Sequence, residues 1–360
     1  MESETRSQNS NYDIRFAYET EGKALGEFLN SHWRENHIFS SCQKLLDWQH
    51  LNREYRRYNF VLGINHQSNN IHGVLGFIPL GQFDPEIDIG LHCWLAIWKV
   101  REDARGHKLG RRLLSHLINV IKPQVLSTVS ATEITLPMYR AMGFKTGRLN
   151  HYFICHPDKH EFNLIRITQS NKPYPRLEPA NPNRYLKSVV EHEIRQNLSS
   201  CFFAAEDLPR KTPNYLINRY LKHPLYQYHV FAIQEASTPI GIIVMRVCIY
   251  GNDKAIRIVD FIGPSASLRG LSDQWNSLLR LYNAEYVDFY NVGICEQDLL
   301  ASGFTQREDL DEVVIPNYFE PFSRTNVEID YMIDVPAGTK FRIVKGDSDQ
   351  DRPNYPNRKY

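Results

Sequence analysis

The chain has 360 residues, a formal net charge of +1, and 42% hydrophobic residues. This length predicts two domains, because one domain takes about 150 residues, and the apolar fraction supports packed cores rather than a disordered chain. The near-zero net charge excludes the broad basic field of a typical nucleic-acid-binding protein, so we expect no nucleic-acid partner.

The cysteines and the first residues indicate the compartment. Six cysteines are scattered along the chain without a Cys-x-x-Cys pair, which predicts reduced thiols and neither a disulfide framework nor a zinc site. Residues 1–11 are polar and carry acidic side chains, unlike a signal peptide. No apolar run approaches the roughly 20 residues of a membrane span. We therefore expect a cytoplasmic protein with no membrane partner.

The first predicted elements are a strand over residues 12–18 and a helix over residues 21–30, whose apolar residues recur at helical spacing. Two antiparallel strands are predicted over 60–64 and 73–79, joined by an Asn/Ser-rich turn. Between the helix and these strands lie aromatic, imidazole and amide side chains: Trp33, Asn36, His37, Trp48 and His50. As a group they suit a sugar or a nucleotide base, and the alternative for each residue alone is a core or surface position.

A phosphate site is predicted where an apolar strand over residues 94–100 leads through a charged turn into a basic loop and a helix. The loop reads Arg105-Gly-His-Lys-Leu-Gly110 and is followed by Arg111. The first amides of a helix have no partner within the helix, and the helix dipole adds positive charge there. The glycines would let an anion approach the backbone. The alternative is a solvated basic helix start.

Two motifs carry a family resemblance. Arg105-x-x-Lys108-x-Gly110 resembles the pyrophosphate-binding R/Q-x-x-G-x-G/A signature of the GNAT acyltransferases, with lysine at a position where the family has glycine. Downstream, Tyr139-x-x-x-Gly143-Phe144 resembles the L-Y-x-x-x-G-F helix end that closes the coenzyme site in this family. A strand predicted over 124–130 separates the motifs, in the order expected of a GNAT fold.

The resemblance implies that acyl-CoA is the acyl donor, with no metal. It also implies that the strand over 94–100 receives the pantetheine arm, and that a backbone amide near Lys99 or Val100 faces the thioester carbonyl. The coenzyme contacts it implies are Ile97, Trp98, Lys99, Val100, Arg105, Gly106, His107, Lys108, Leu109, Gly110, Arg111 and Thr132.

The second half of the chain repeats the first in outline. Gly303-Phe304 ends a predicted helix as Gly143-Phe144 does, but residues 265–272 do not fit the phosphate-loop signature. We therefore predict an α/β (α+β) protein with two GNAT folds in tandem, each a mixed central sheet flanked by helices, the second copy degenerate. The predicted parts are a GNAT domain binding acyl-CoA (1–165), a Pro-rich linker (166–183), a degenerate GNAT-like domain forming part of the acceptor cleft (184–336) and a C-terminal tail (337–360).

Segments 32–50, 94–100, 258–263, 315–322 and 345–354 carry a narrower resemblance. They look like the tandem GNAT N-acyltransferases that modify nucleotide-linked amino sugars for bacterial surface polysaccharides such as O-antigen in lipopolysaccharide. That group implies a dTDP-linked 3-amino-3,6-dideoxyhexose as acceptor, and acetyl-CoA or a short hydroxyacyl-CoA such as 3-hydroxybutanoyl-CoA as donor. The acceptor contacts predicted on this basis are Trp33, Asn36, Trp48, His50, Trp94, Asp260, Asn317, Lys345 and Arg352.

The tail contains Asp347-x-Asp349-x-Asp351, which has the spacing of a calcium loop. Such a loop needs glycine at its sixth position and glutamate at its twelfth. Those positions hold Arg352 and Arg358, so no calcium site is predicted. The tail is then either a charged, partly disordered end or a segment that folds over the nucleotide.

Direct acyl transfer needs a proton donor for the leaving thiolate, an oxyanion site and a neutral amine. Tyr139 is the candidate acid, with a packed helix tyrosine as the alternative. His37 is the first candidate base because imidazole titrates near neutrality, and the other candidates are His50, Glu102, Asp260 and water. Three alternatives stay open: an acyl-cysteine route through Cys93, a peptidoglycan-type aminoacyltransferase, and a non-catalytic acyl-CoA-binding GNAT module.

Overall fold

The computed structural model describes residues 11–106, 108–167, 180–203, 207–310 and 312–355. The chain divides into two compact units, each formed by separate stretches of sequence. The first unit comprises Met1–Gln82, Asp88–Leu126 and Tyr355–Asn357, and the second comprises Phe83–Ile87, Ser127–Asn354 and Arg358–Tyr360. His107 and most of the predicted linker lie outside the described residues, and the boundaries predicted at 165, 183 and 336 stay predictions.

The elements up to residue 129 are β1 Tyr12–Tyr18, α1 Gly22–His32, α2 Ile38–Ser41, α3 Gln43–His50, β2 Leu51–Asn52, β3 Arg57–Asn65, β4 Ile71–Pro79, β5 His92–Val100, α4 Leu109–Ile121 and β6 Val125–Val129. Those that follow are α5 Leu136–Ala141, β7 Lys145–Arg148, β8 Asn150–Cys155, β9 Arg184–Ser188, α6 Glu191–Asn197, α7 Ser199–Phe203, α8 Pro213–Leu216, β10 His229–Glu235, β11 Thr238–Tyr250, β12 Asp253–Ile262, α9 Ser272–Tyr282, β13 Tyr286–Val292, α10 Glu296–Leu300, β14 Thr305–Gln306, β15 Tyr318–Phe319, β16 Phe322–Ser323, β17 Asp330–Asp334 and β18 Ile343–Val344.

In the first unit, β1, β3, β4 and β5 are neighbours in that order and pair antiparallel. Two facing glycines on β3 and β4, Gly63 and Gly73, form the seat for the first turn of α4. A Cβ atom at Gly63 would lie 2.7 Å from a methyl carbon of Leu109, and one at Gly73 would lie 3.1 Å from the other. The absence of these side chains lets Leu109 anchor the start of α4 on the sheet.

The second unit contains a sheet with the strand order β14-β8-β13-β12-β11-β10-β9. β12 and β13 are parallel and the other paired neighbours are antiparallel, so the sheet is mixed. The sequence predicted residues 150–154 as the last strand of the first domain. In the structure that strand, β8, instead pairs with β13 of the second sheet, with His151 opposite Tyr290.

The two faces of the second sheet differ because strand residues alternate between them. On β13, Val287 and Phe289 join the apolar core under Trp275 of α9. Between them, Asp288 pairs with Arg257 of β12. One face therefore carries an apolar core, and the other carries buried charges beside a second apolar cluster that includes Phe153 and Tyr286.

The element order of the two halves repeats. A strand, short helices, a hairpin, a strand, a helix, a strand and a short helix run from β1 to α5 and again from β9 to α10. The predicted mixed α/β fold is confirmed, and the two-part arrangement fits a tandem GNAT. Within the described ranges, no helix has the length and apolarity needed to cross a membrane.

Candidate active site

The predicted phosphate loop lies between β5 and α4, and two of its residues have left-handed backbone conformations. Gly106 has φ +92° and Lys108, just before α4, has φ +57°. A non-glycine residue rarely adopts this conformation, because its Cβ crowds the following carbonyl. Lys108 thus has the backbone conformation that glycine adopts readily, although its side chain departs from the family signature.

The start of α4 is strongly basic. Arg105, Lys108 and Arg111 are exposed, and the first turn contains no acidic residue. Arg105 lies 3.4 Å from Glu102, but both side chains are solvated and such surface pairs contribute little. Because the first-turn amides have no partner within the helix, cationic side chains and backbone donors converge on one place. These residues fit the diphosphate of coenzyme A.

β5 contains a β-bulge beside this loop. Phe77 pairs with Leu95 and Leu75 with Trp98, so β5 has one residue more than β4 between these pairs, at positions 96–97. A bulge leaves a residue outside the regular ladder and redirects its peptide groups. The resemblance implied an outward-facing amide near Lys99 or Val100, but Lys99 and Val100 keep regular partners on β4. The break in the regular pairing of β5 with β4 therefore falls at Ala96 and Ile97.

Tyr139 lies on α5 in the second unit and is 2% exposed. Burial raises the pKa of its phenol, so the hydroxyl is protonated at neutral pH but is a weaker acid than that of an exposed tyrosine. Its ring lies near the ring of Phe144, with centroids 6.3 Å apart. In the loop before α5, the exposed Thr132 donates its amide to the hydroxyl of Thr135 at 3.0 Å.

The two candidate imidazole bases have structural contacts. His37 is buried, and its Nδ1 accepts the amide of Phe39 at 3.2 Å, which caps α2. In the neutral ring Nδ1 then holds the lone pair and Nε2 holds the proton, which favours a capping role over a base. His50 is fully buried, with Nδ1 3.2 Å from the Phe77 carbonyl oxygen. For the acyl-cysteine alternative, burial raises the pKa of the Cys93 thiol, which disfavours the thiolate that this route needs.

The predicted aromatic contacts of the first unit divide between surface and core. Trp33 is 44% exposed, and Asn36 is exposed in the loop before α2 with φ +57°. Trp48 is half-buried on α3. Trp94 is 1% exposed and stacks on His92, with ring centroids 4.6 Å apart. Trp33 and Asn36 are therefore available to a ligand, whereas Trp94 packs in the core.

Two of the acceptor residues predicted in the second unit have ionic or hydrogen-bonded partners. Both carboxylate oxygens of Asp260 accept from the Lys211 ammonium at 2.7 Å, and the Tyr220 hydroxyl adds a third bond at 2.7 Å. Arg352 donates to Asp349 at 3.4 Å. Asp260 is thus part of a buried ion-pair cluster rather than an unpaired carboxylate.

The other two, Lys345 and Asn317, are buried, and among the described residues neither side chain has an ion pair or a hydrogen bond. Burial, followed by the repulsion of Arg257, lowers the pKa of the Lys345 amine to about 7. Its Nζ lies 5.5 Å from the ring centre of Tyr290. Neither polar atom of the Asn317 side chain meets a hydrogen-bond partner among the described residues. That these two side chains contact the acceptor stays a prediction.

The acidic tail is packed into the second unit by ion pairs. Asp347 lies 2.9 Å from the Lys211 ammonium, and Asp351 lies 2.8 Å from the Arg246 guanidinium. The sequence did not identify Lys211 and Arg246 as partners of the tail, because only the folded structure brings them next to it. In the described part of the chain, no group of three or more His, Cys, Asp or Glu side chains could hold a metal ion.

Comparisons with known proteins place this geometry in a family. Residues 23–144 match the model of the Acetyltransferase (GNAT) family. No curated protein matches the chain significantly.

Solved structures share the fold at low identity. A GCN5-related N-acetyltransferase from Anabaena variabilis ATCC 29413 has a TM-score of 0.55 at 13% identity, covering 90% of this chain and 72% of that chain. A conserved protein of unknown function from Enterococcus faecalis V583 has a TM-score of 0.53 at 10% identity, with coverages of 90% and 72%. A GCN5-related N-acetyltransferase from Kribbella flavida has a TM-score of 0.52 at 11% identity, with coverages of 91% and 72%.

The matched residues contain β5, the basic loop and α4, as well as Tyr139, so the family match and the predicted coenzyme site coincide. The predicted enzyme class, an acyl-CoA-dependent N-acyltransferase, is confirmed by this match. Over residues 23–144 the chain therefore matches the GNAT acetyltransferase family, whose fold uses acyl-CoA as the donor for N-acyl transfer.

Proposed function

We propose that this protein is a cytoplasmic enzyme that moves an acyl group from acyl-CoA to the amino group of a nucleotide-linked amino sugar. The proposed acceptor is a dTDP-3-amino-3,6-dideoxyhexose used for surface polysaccharide such as O-antigen or capsule. The proposed acyl group is acetyl or a short hydroxyacyl group such as 3-hydroxybutanoyl.

The observation that carries the donor half of this proposal is the basic start of α4. Gly106 and Lys108 shape the turn, and the exposed Arg105 and Arg111 surround it. A Cβ atom at Gly106 would meet nothing within 4 Å, so the space beside the turn is open. A diphosphate bound there would accept from first-turn amides and from three cationic side chains.

Acyl-CoA supplies an acyl group activated as a thioester. In the proposed reaction a C–N bond forms, the C–S bond breaks, and the sulfur leaves with a proton. Tyr139 is the proposed source of that proton, because it occupies the tyrosine position of the motif that ends at Gly143-Phe144, and water would return a proton to it after the transfer. A backbone amide at the bulge of β5 is the proposed partner of the carbonyl oxygen, since it lies outside the regular ladder.

No side-chain base is assigned. The Nδ1 lone pair of His37 is used in capping α2, and Asp260 is paired with Lys211. An amine on an electron-poor sugar ring is less basic than lysine, so a fraction of it binds neutral at pH 7 and passes its proton to water.

The acceptor half rests on the narrower sequence resemblance and on side chains suited to such a ligand. The exposed Trp33 offers a ring face for a base or sugar, and Asn36 beside it offers an amide. In the second unit, the Asn317 amide, which has no hydrogen-bond partner among the described residues, and the buried Lys345 amine are suited to hydroxyl groups.

The test is to incubate the purified chain with acetyl-CoA or 3-hydroxybutanoyl-CoA and a panel of nucleotide-linked amino sugars, and to measure free thiol release. We expect turnover with a dTDP-linked amino sugar and none with the matching sugar that carries a hydroxyl group. Thermal-shift screening of the same pairs should show stabilisation, because a ligand that binds the native state raises Tm. Coenzyme binding without thiol release for any amine would indicate a non-catalytic module instead.

A further inference from the structure

The second unit contains a cavity of about 750 Å³ that no predicted site residue lines. This volume lies within the range of small-molecule pockets. The side chains that matter most for its chemistry are Asp84, Glu86, Arg195, Phe202, Arg210 and Asn214.

One wall of the cavity is the short segment 83–87, which is fastened to the helical residues 212–218. The Asn218 side chain donates to the Phe83 carbonyl oxygen at 2.8 Å, and the Phe83 and Tyr215 rings meet edge to face with centroids 5.7 Å apart. The Thr212 hydroxyl, which also accepts the Tyr215 amide at 3.0 Å, donates to the Asp84 carboxylate. Contacts at both Phe83 and Asp84 therefore hold this wall in one conformation.

Asp84 is a buried carboxylate whose partners are neutral. It is 1% exposed, and it accepts from the Thr212 hydroxyl and from the Glu86 amide at 3.1 Å. Within the described ranges it forms no ion pair with a lysine, arginine or histidine, and the exposed Glu86 adds a second acidic group to the same wall. A carboxylate has room for further hydrogen bonds beyond these two, so this wall is suited to a hydroxyl-bearing ligand.

Arg210 is the complementary group on the cavity lining. It is exposed and, in the part of the chain that the structure describes, has no hydrogen bond or ion pair. The neighbouring Lys211 is neutralised by Asp260 and Asp347, and Arg195 is engaged by Glu191 at 2.9 Å and by Asn214 at 2.6 Å. Arg210 is thus the lining cation that is available to an anion, and the arginine fork matches phosphate oxygens.

We infer that this cavity binds the nucleotide-linked amino sugar, with Arg210 contacting its diphosphate and Asp84 and Glu86 accepting from its sugar hydroxyl groups. The buried ring of Phe202 gives the lining an apolar surface beside these charges. A ligand with an anionic end and an amino-sugar end matches a cavity that presents one uncommitted cation and two carboxylates. The inference rests on the proposed function and adds the binding site of the acceptor.

The first experiment measures binding of dTDP and of acetyl-CoA to the full chain by calorimetry. We expect Arg210→Ala to weaken dTDP binding by roughly tenfold or more, since a bidentate charged contact is lost. Its affinity for acetyl-CoA should not change. Arg53→Ala is the matched control, because Arg53 is exposed and does not line the cavity, and it should bind both ligands as the wild type does.

The second experiment separates the carboxylates from the phosphate contact. Glu86→Gln removes a charge from an exposed position and should fold normally, whereas Asp84→Asn tests the buried group. Both variants should raise KM for the amino-sugar acceptor several-fold and leave dTDP affinity unchanged. If Asp84→Asn does not fold, the acceptor KM and the dTDP affinity of Glu86→Gln alone test whether the carboxylates contact the sugar.

The outcomes distinguish this inference from the proposed function. Arg210→Ala with wild-type dTDP affinity and wild-type acceptor KM would overturn the site while acyl transfer by the wild type still supports the function. A wild type that binds no dTDP also overturns the site. A wild type that acylates no nucleotide-linked amino sugar overturns the function itself.

Discussion

Tyr139 and Leu299 occupy equivalent positions in the two copies of the fold. The carbonyl oxygen of each accepts the amide of the phenylalanine five residues later, Phe144 and Phe304, at 3.1 Å in both cases. The intervening glycines, Gly143 and Gly303, have φ of +85° and +95°. The same helix end is therefore retained twice, but only the first copy has a phenol there, which agrees with a single catalytic half.

Tyr139→Phe tests the acid role. Removing the hydroxyl should lower kcat by about 100-fold, because a positioned general acid contributes on that order, while acetyl-CoA affinity stays within about twofold. Steady-state kinetics with calorimetry measures both. Leu299→Phe is the control in the second copy and should leave kcat unchanged. Wild-type kcat in Tyr139→Phe would remove Tyr139 from the mechanism.

Gly110→Asp tests the coenzyme loop. The new carboxylate would lie in the first turn of α4, where it opposes a diphosphate, so acyl-CoA affinity should fall by more than about tenfold. The new carboxylate also interacts favourably with the positive end of the helix dipole, so its charge should not lower Tm. Gly110→Ala controls for bulk, since its Cβ would lie 3.4 Å from the nearest Trp98 atom. Equal affinity of Gly110→Asp and Gly110→Ala would show that this helix start does not bind the diphosphate.

Two substitutions of Lys108 distinguish the effect of its backbone conformation from the effect of its charge. Its φ of +57° is strained for a residue with a side chain, so Lys108→Gly should stabilise the fold by about 1 kcal/mol. Lys108→Ala keeps the strain and should not. Both variants lose one cation and should bind acetyl-CoA several-fold more weakly. Chemical denaturation and calorimetry check these effects, and equal stability of the two variants would contradict the strain argument.

Lys345 predicts a pH dependence of stability. Its pKa falls to about 7 in the folded protein, below the unfolded value of about 10.4. Between these values the unfolded chain binds more protons, so the contribution of this group to stability should rise with pH from about 7 to about 10. Lys345→Met should abolish that rise and stabilise the protein by about 2 kcal/mol at pH 6. Urea unfolding as a function of pH measures both effects, and parallel pH profiles for the two proteins would refute the assignment.

Asp351 carries a stabilising charge, and its contribution to stability, like that of Lys345, should rise with pH, but in the acid range. Burial alone would raise the pKa of its carboxyl, but the Arg246 guanidinium outweighs burial and holds the pKa below its usual range. A lowered folded pKa stabilises the protein above the unfolded pKa of about 3.9, and that stability is lost as the pH falls below it. Asp351→Asn leaves Arg246 buried without a countercharge and should cost about 3 kcal/mol at pH 7. The measurement is the urea midpoint, and Arg246→Met with Asp351→Leu should recover much of the loss.

Local patterns in the sequence were sufficient for most elements of both halves. The strand predicted over 12–18 matches β1, and the helix predicted over 21–30 overlaps α1. These predictions succeed because apolar spacing and turn residues act over a few neighbouring positions. The basic loop before α4 was recognisable for the same reason, since its cations and glycines are consecutive in sequence.

Contacts between distant residues were decided by the tertiary structure alone. Nothing local in residues 150–155 indicates that the strand pairs with β13. The Nδ1 lone pair of His37 accepts a capping hydrogen bond at the start of α2, so it is not available to act as a base. The acidic tail is buried because its carboxylates form ion pairs with Lys211 and Arg246, which are distant in sequence. The energy of such groups depends on partners that are far apart along the chain, so composition and spacing do not determine it.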